Sequence, residues 1–325
     1  MIENKIANPE ISVVMSVYNE ETYLRSAIES VLNQTFKDFE FIIFNDCSTD
    51  KTVDILKEFE AKDNRIILFE KPINKGFKGF VENLNIGISK ARGKYIARMD
   101  ADDYCLPDRF EKQFNFLEEN PEVFLTGSSM ILMNEKSEDT GEMSALSNPD
   151  LIRKRTKIDN PIFHPTIMFR NEPDLIYRDK FYACEDFDFH LRKLSENRVL
   201  HNISEPLLKY RILESSISRK GNSFVKRLFL EQAKTFYNQR IKSGQDEYEN
   251  FDENEFLNIL NPDFQNSKSY LIYAANVAIL YSRIEELKSI NQKLKKQYHY
   301  THFYFKINEL GVVNKLISFT KRKLR

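Results

Sequence analysis

Short apolar runs and amphipathic stretches alternate along the first hundred residues. Residues 11–17 (ISVVMSV) form an unbroken, β-branched apolar run, which predicts a buried strand. Over 21–34, Tyr23, Leu24, Ala27, Ile28, Val31 and Leu32 fall at helical spacing. A second strand is expected at 39–44 (FEFIIF). Ser48, Thr49 and Asp50 then offer capping oxygens to a helix over 52–61. The pattern continues with a strand at 65–69, a helix at 77–91 and a strand at 94–99 (KYIARM). Alternation of this kind predicts a parallel sheet with right-handed crossovers, and such sheets bind ligands at the carboxyl ends of their strands. Polar residues gather at those ends: Tyr18-Asn19, Asn45-Asp46 and Asp100-Ala101-Asp102-Asp103.

Beyond Pro107 the rhythm changes. A helix over 108–119 and a long strand over 123–133 precede a polar stretch, 134–149, expected to be a loop. Another strand is expected at 162–170, followed by an acidic-aromatic stretch at 185–190. From about residue 223 the pattern is helical and rich in Phe, Tyr and Leu. We therefore expect an α/β domain over 1–222 and a mainly helical region over 223–325, with no internal repeat.

The acidic run at 100–103 is the strongest chemical feature. Three carboxylates in four residues repel one another, and a hard divalent cation such as Mg²⁺ or Mn²⁺ relieves that repulsion. The competing reading is a solvated acidic turn ahead of the next helix. Glu185, Asp186 and Asp188 cluster at an apparent helix start, where the dipole favours the ionised form. A carboxylate there can serve as a general base toward a hydroxyl, or as a helix cap. His164 reads either as a satisfied polar residue beside the core or as a ligand contact. No GxGxxG follows a strand, and GxxxxGK[ST], HExxH and GxSxG are absent. A phosphate ligand would thus be held without a glycine cradle.

Composition narrows the class. The 325 residues are 41% hydrophobic and 30% charged, with 9 Gly and 10 Pro, which fits a globular chain. A net charge of -1 excludes a nucleic-acid binder held by bulk charge. Cys47, Cys105 and Cys184 are too few and too dispersed for a disulfide scaffold, and imply reduced thiols in the cytoplasm. The N-terminus shows no secretory signal, and the apolar stretch 270–281 is too short to cross a bilayer. Residues 293–325 carry nine Lys/Arg against one acid, a charge of +8 that leaves -9 elsewhere. Aromatic residues interleave with that charge, so the tail suits an anionic surface, either lipid headgroups or nucleic acid, with a solvated helix end as the competing reading; peripheral membrane contact is the expectation carried forward.

Five motifs, in order, carry a resemblance. They are ISVVMSVYNEETYLRSAIESVLNQTFKDFEFIIFND, STDKT, NKGFKGFVENLNIGISKARGKYIARMDADD, NPIFHPTIMFR, and CEDFDFHLR followed by EPLLKYRILESSIS. Over residues 10 to about 220 the chain resembles the family 2 glycosyltransferases of GT-A fold, inverting enzymes of surface-polysaccharide assembly. The resemblance implies a nucleotide-binding half over about 10–103 and an acceptor-binding half over about 104–222. It implies a nucleotide-sugar donor, a UDP-sugar, and a glycan or lipid-linked acceptor, with Mn²⁺ or Mg²⁺ as cofactor.

Carried over residue by residue, Ser16 and Asn19 hold the nucleotide at the first strand. Asp46 accepts from the pyrimidine N3–H, and Asn74 and Gly76 flank the base. Asp100, Ala101 and Asp102 form the DxD motif, with Asp102 on the metal and Asp100 on ribose or metal. Asp186 is the catalytic base. His164, Glu185, Tyr210 and Arg211 lie toward acceptor or diphosphate. Two departures stand out: Asn45 and Cys47 replace the family's usual Asp and Gly, and Leu84 precedes Asn85 where Arg is common. The rival class is a non-catalytic nucleotide-sugar or polysaccharide binding protein of the same fold, distinguished by the absence of metal-dependent UDP release.

Overall fold

The structure, a computed structural model, describes residues 8–213 and 223–309. These divide into two compact units. One comprises 1–179 and 185–216, the other 180–184 and 217–325.

The first unit is built on a mixed sheet. Strands β1 (Ile11–Val17), β2 (Phe39–Asn45), β3 (Ile66–Glu70) and β4 (Tyr95–Asp100) are parallel in the order β3-β2-β1-β4. Helices α1 (Leu24–Leu32), α2 (Thr52–Lys62) and α3 (Phe77–Lys90) make the crossovers. Every residue of β2 is buried, as its apolar sequence requires of a strand covered on both faces. Each large apolar side chain taken from water there contributes roughly 1.5–3 kcal/mol.

Beyond β4 the order runs through β8 (Met168–Arg170), β6 (Val123–Met133), β9 (Val199–Arg211) and β5 (Tyr104–Cys105), and β7 (Asp139–Met143) pairs with β6. Contacts here are antiparallel except β6 with β9. Helix α4 (Arg109–Glu119) follows β5, α5 is Pro149–Thr156, and α6 is Glu185–Ser195.

The amino ends of the strands are fastened by a buried polar network. Ser12 Oγ donates to Glu40 Oε1 at 2.6 Å and accepts from the Gly93 backbone N–H at 2.8 Å. Arg92 closes the network through two bonds to Glu40 Oε2. Only glycine fits at 93, because a Cβ there would lie 2.5 Å from the Ser12 nitrogen.

Three elements differ from the sequence expectation. The strand expected at 162–170 is mostly a 3-10 turn, His164–Thr166, with ladder pairing only at β8. Pro165 has no N–H for a ladder, and Thr166 Oγ1 donates to the Phe163 carbonyl instead. The loop expected at 134–149 contains β7, all of whose residues are exposed, so no apolar alternation marks it. Strand β9 went unmarked because it is irregular: its register against β6 shifts and polar residues interrupt it.

The second unit is helical: α7 (Ser223–Ser243), α8 (Glu253–Leu257), α9 (Lys268–Leu280), α10 (Ile284–Tyr298) and α11 (Phe303–Glu309). The apolar stretch 270–281 lies largely within α9. Among the described residues no helix is long and apolar enough to cross a membrane. The basic tail needs one correction. Lys293 is 5% exposed, and its ammonium donates to the carbonyls of Asn258, Ile259 and Asn261. It serves the helical unit internally and is not available to a membrane. Residues 310–325 lie outside the described residues.

Candidate active site

Parallel register aligns the carboxyl ends of three strands, pairing Ser16 with Asp100 and Val17 with Asn45. Asn83 from α3 donates to Ser16 Oγ at 3.0 Å. Asn19, at φ 51°, accepts from the Thr49 N–H at 2.8 Å, and its own N–H donates to Ser48 Oγ. These bonds tie the loop after β1 to the loop after β2. Asp46 is 3% exposed, and Asn74 Nδ2 donates to its backbone carbonyl at 3.1 Å. Asn74 Oδ1 in turn accepts from Gly76 N–H, which orders the 74–76 loop beside it. Burial raises the pKa of Asp46, and Oδ1 of its carboxyl has no partner, which leaves an acceptor in a confined position. Cys47 stands at φ 63°, a left-handed conformation that favours the glycine usual in the resembled family.

The second group is the acidic loop after β4. Ligand oxygens of Asp100, Asp102 and Asp103 lie within 4.8 Å of one another. Arg98 Nη1 donates to Asp100 Oδ2 at 2.6 Å, so one of the three charges is already paired. Burial, and then Asp100, push Asp102 up to about 6. Asp103 is fully buried and raised by burial and by Asp102. One of its oxygens accepts from the Arg211 N–H at 2.8 Å and the other has no partner. Hard oxygen donors, a raised carboxyl and an orphaned buried oxygen fit a divalent cation. Glu20, after β1, faces the same loop. Burial, then Asp102 and Asp100, push it up to about 7.

The third group is the start of α6. Asp186 Oδ2 accepts from Asn160 Nδ2 at 2.8 Å, and Oδ1 accepts from the Phe187 N–H at 2.7 Å. Burial pushes Asp186 up to about 6, while Arg98 and these hydrogen bonds pull the other way. Glu185 is pushed up to about 8, by burial and then by Asp186. His164 stands beside the α6 start, with Nδ1 3.7 Å from Glu185 Oε1 and Nε2 3.1 Å from Tyr177 Oη. Burial, then Arg98, keep the His164 imidazole neutral.

Arg98 links the acidic loop to the α6 start electrostatically. Its guanidinium lowers both Asp102 and Asp186, and Asp100 raises Glu185, so motifs more than eighty residues apart share one electrostatic site. Arg109 fastens this arrangement from below. Its Nη2 donates to the carbonyls of Arg98 and Ile167, pinning the end of β4 to the His164 turn.

Tyr210 and Arg211 occupy different surroundings. Tyr210 packs against the hydrophobic core. Arg211 is 1% exposed, and its Nε donates to the Asp102 carbonyl while Nη1 serves Asn134 O and Ser137 Oγ. It holds the acidic loop from behind through backbone contacts. Sequence reasoning overlooked Glu20, Arg98 and Asn160. A lone Arg inside the apolar run KYIARM was the available signal for Arg98, since a buried strand rarely carries an unpaired charge. A cavity of about 220 Å³, lined by Phe236, Phe251, Phe256 and Tyr270 among others, lies within the helical unit and includes none of these groups.

The model of the family described as Glycosyl transferase family 2 matches residues 12–180. A Methanocaldococcus jannaschii protein described as uncharacterized glycosyltransferase MJ1057 is 39% identical over 213 residues, 63% of this chain and 71% of its own length. The Escherichia coli O-antigen biosynthesis glycosyltransferase WbnJ is 35% identical over 223 residues, 66% of this chain and 84% of its own. The structure of S. aureus TarS 1-349 in complex with UDP-GlcNAc superposes with a TM-score of 0.61 at 18% identity, over 93% of this chain and 88% of that one. At that identity the likeness is one of fold.

Proposed function

This chain belongs to glycosyl transferase family 2, and from that premise we propose that it is an inverting enzyme of surface-polysaccharide assembly. It moves a sugar from a nucleotide-diphosphate sugar, a UDP-sugar, to a hydroxyl of a glycan or lipid-linked acceptor. The observation that carries this reading is the acidic loop at the strand ends, where ligand oxygens of Asp100, Asp102 and Asp103 lie within 4.8 Å of one another and Asp100 pairs with Ser16.

The donor lies across the ends of β1, β2 and β4. Asp46, with a free acceptor oxygen, takes the pyrimidine N3–H, and Asn74 and Gly76 order the loop beside the base. Ser16 and Asn19 flank the nucleotide. Asp102, with Asp100, would hold Mn²⁺ or Mg²⁺, which when bound supplies charge neutralisation for the leaving diphosphate. Asp186 takes the proton of the acceptor hydroxyl as that oxygen attacks the anomeric carbon from the face opposite the nucleotide. The bond between the anomeric carbon and the diphosphate oxygen breaks, and its electron pair leaves with UDP. Glu185 and His164 line the acceptor side of Asp186. Arg211 acts at one remove, by holding the loop that carries Asp102.

Residues 1–222 form the catalytic part in this reading and 223–325 a helical appendage. The basic segment 293–325, apart from the buried Lys293, supplies the cationic contact with the cytoplasmic face of a membrane. The decisive experiment is metal-dependent UDP release from a panel of UDP-sugars, with and without EDTA. Asp102→Asn is expected to cut turnover by several orders of magnitude, roughly the scale of losing a charged catalytic group. Asp186→Asn is expected to abolish transfer while leaving UDP affinity intact. Undiminished release in EDTA would overturn the metal role.

A further inference from the structure

We propose that Asn160 is the positioning residue for Asp186, and that His190 locks it in the orientation that serves the base. The inference rests on Asp186 acting as base. Three observations carry it. Asn160 Nδ2 donates to Asp186 Oδ2 at 2.8 Å. Asn160 Oδ1 accepts from the Ile162 backbone N–H at 3.3 Å. The same Oδ1 lies 3.1 Å from His190 Nδ1.

The backbone settles the orientation. The Ile162 N–H can only donate, so the oxygen of the Asn160 amide must face it. The amide nitrogen then faces the Asp186 carboxylate, which can only accept when ionised. His190 Nδ1 meets an oxygen and must therefore carry the ring proton. Its Nε2 is left bare, and this buried nitrogen indeed has no partner. Burial holds His190 near 3, so the ring stays neutral and its tautomer does not change through the working pH range. A one-way chain of donors thus runs from a fixed backbone group and a neutral ring, through one amide, to the catalytic carboxylate.

The consequence is rotational. Phe187 N–H holds one Asp186 oxygen and Asn160 the other, so the carboxylate plane is fixed by two donors on different elements. Each oxygen keeps a further lone pair with which to accept the acceptor's proton. Charged and titratable groups that reach Asp186 are Arg98 from β4, Glu185 beside it, and Tyr177 from the segment before α6, with His164 acting on Glu185 from the 3-10 turn. None of these donates to the two oxygens in place of Asn160.

The test uses the full chain and initial rates of UDP release across pH 5–9, with UDP affinity measured alongside. Asn160→Asp is expected to lower kcat about 100-fold, a scale typical of a misplaced reacting group, and to move the acid limb up by at least about one pH unit, because a like charge replaces a donor. Asn160→Ala is expected to lower kcat about 10-fold or more with donor KM unchanged, on the same positional argument. His190→Asn, which keeps a donor near the Nδ1 position, is expected to retain activity that His190→Leu loses. UDP affinity equal to wild type certifies folding in each case. A wild-type acid limb and kcat in Asn160→Asp, or equal activity in His190→Asn and His190→Leu, overturns the inference. Asp186→Asn separates the two levels: if it still turns over, the base assignment itself has failed, whereas a dead Asp186→Asn beside an active Asn160→Asp removes the positioning role alone.

Discussion

Replacing Arg211 by Met tests whether this side chain acts on the fold or on the substrate. The methionine keeps the aliphatic bulk and removes the guanidinium. In the native structure Nε donates to the Asp102 carbonyl at 2.8 Å, and Nη1 donates to Asn134 O and Ser137 Oγ, both at 2.9 Å. The guanidinium also lies 3.9 Å over the Tyr23 ring. A hydrogen bond from a charged donor contributes about 1.5–3 kcal/mol, and a cation–π contact about 0.5–2. These do not add, since the 134–137 turn can relax; leaving the three acceptors unpaired, at about 1–3 kcal/mol each before relaxation, gives a total of about 3–5 kcal/mol. At roughly 2–4 °C per kcal/mol for a unit of this size, Tm should fall by roughly 6–20 °C. Arg211→Lys keeps the charge, yet a compact ammonium cannot serve three partners in a fork, so it should recover only part of the loss. Thermal denaturation followed by circular dichroism, with UDP affinity as companion, reads both effects. Unchanged Tm with turnover abolished in Arg211→Met would refute the reasoning and place the cation on the diphosphate.

Other outcomes follow from the same geometry. The acid limb of kcat should lie near pH 6, where Asp186 protonates, and pH–rate profiles check it. Stability in EDTA should move the opposite way. Glu20, Asp102, Asp186 and Glu185 all have folded pKa values above their unfolded ones, so their protonated forms favour the folded state; that contribution is full below about pH 4 and is lost as pH rises through the folded values of about 6 to 8. A Tm at pH 8 higher than at pH 5.5 in wild type, with Glu185→Gln no different, would contradict this. Gly79→Ala brings a Cβ to 3.0 Å from Asp46 Oδ2. It should weaken UDP binding several-fold, on the scale of about 1 kcal/mol for mild overpacking, while leaving Tm within a few degrees. Finally, a chain ending at Glu309 should show weaker salt-sensitive sedimentation with anionic liposomes, since five of the nine Lys/Arg of the tail lie beyond that point, at about 1 kcal/mol per engaged residue. Equal binding by both lengths would remove the tail's role.

The first hundred residues were legible because burial on both faces writes itself as continuous apolar runs. Strand β6 was marked by its apolar content over 123–133, the span it occupies in the structure. The acidic loop was legible from its position after β4. Strand β9 and exposed β7 were not, because neither presents one apolar face in steady alternation. Nor was the partnership of Asn160 with Asp186, twenty-six residues on. It joins the stretch after α5 to the start of α6, two segments that no local pattern relates. For Arg211 the resemblance implies a contact with acceptor or diphosphate, and only the structure shows its 1% exposure and how its donors are spent, on the Asp102 carbonyl and the 134–137 turn.

The Ser12–Glu40–Arg92 network and the tight passage at Gly93 lie at the strands' amino ends, opposite the residues proposed to handle ligand. Cohesion and the proposed chemistry are thereby separated along the same three strands, β1, β2 and β4. A lineage can rewrite Tyr18, Asn45, Cys47 or the 74–76 loop to accept another base or sugar without loosening the rivet that keeps the sheet together. Substitutions at Ser12, Glu40 or Gly93 have no such latitude, and their damage would reach every donor alike. Tolerance to change should therefore rise from one edge of the sheet to the other, a gradient that a saturation-mutagenesis library sorted separately for folding and for turnover would make visible.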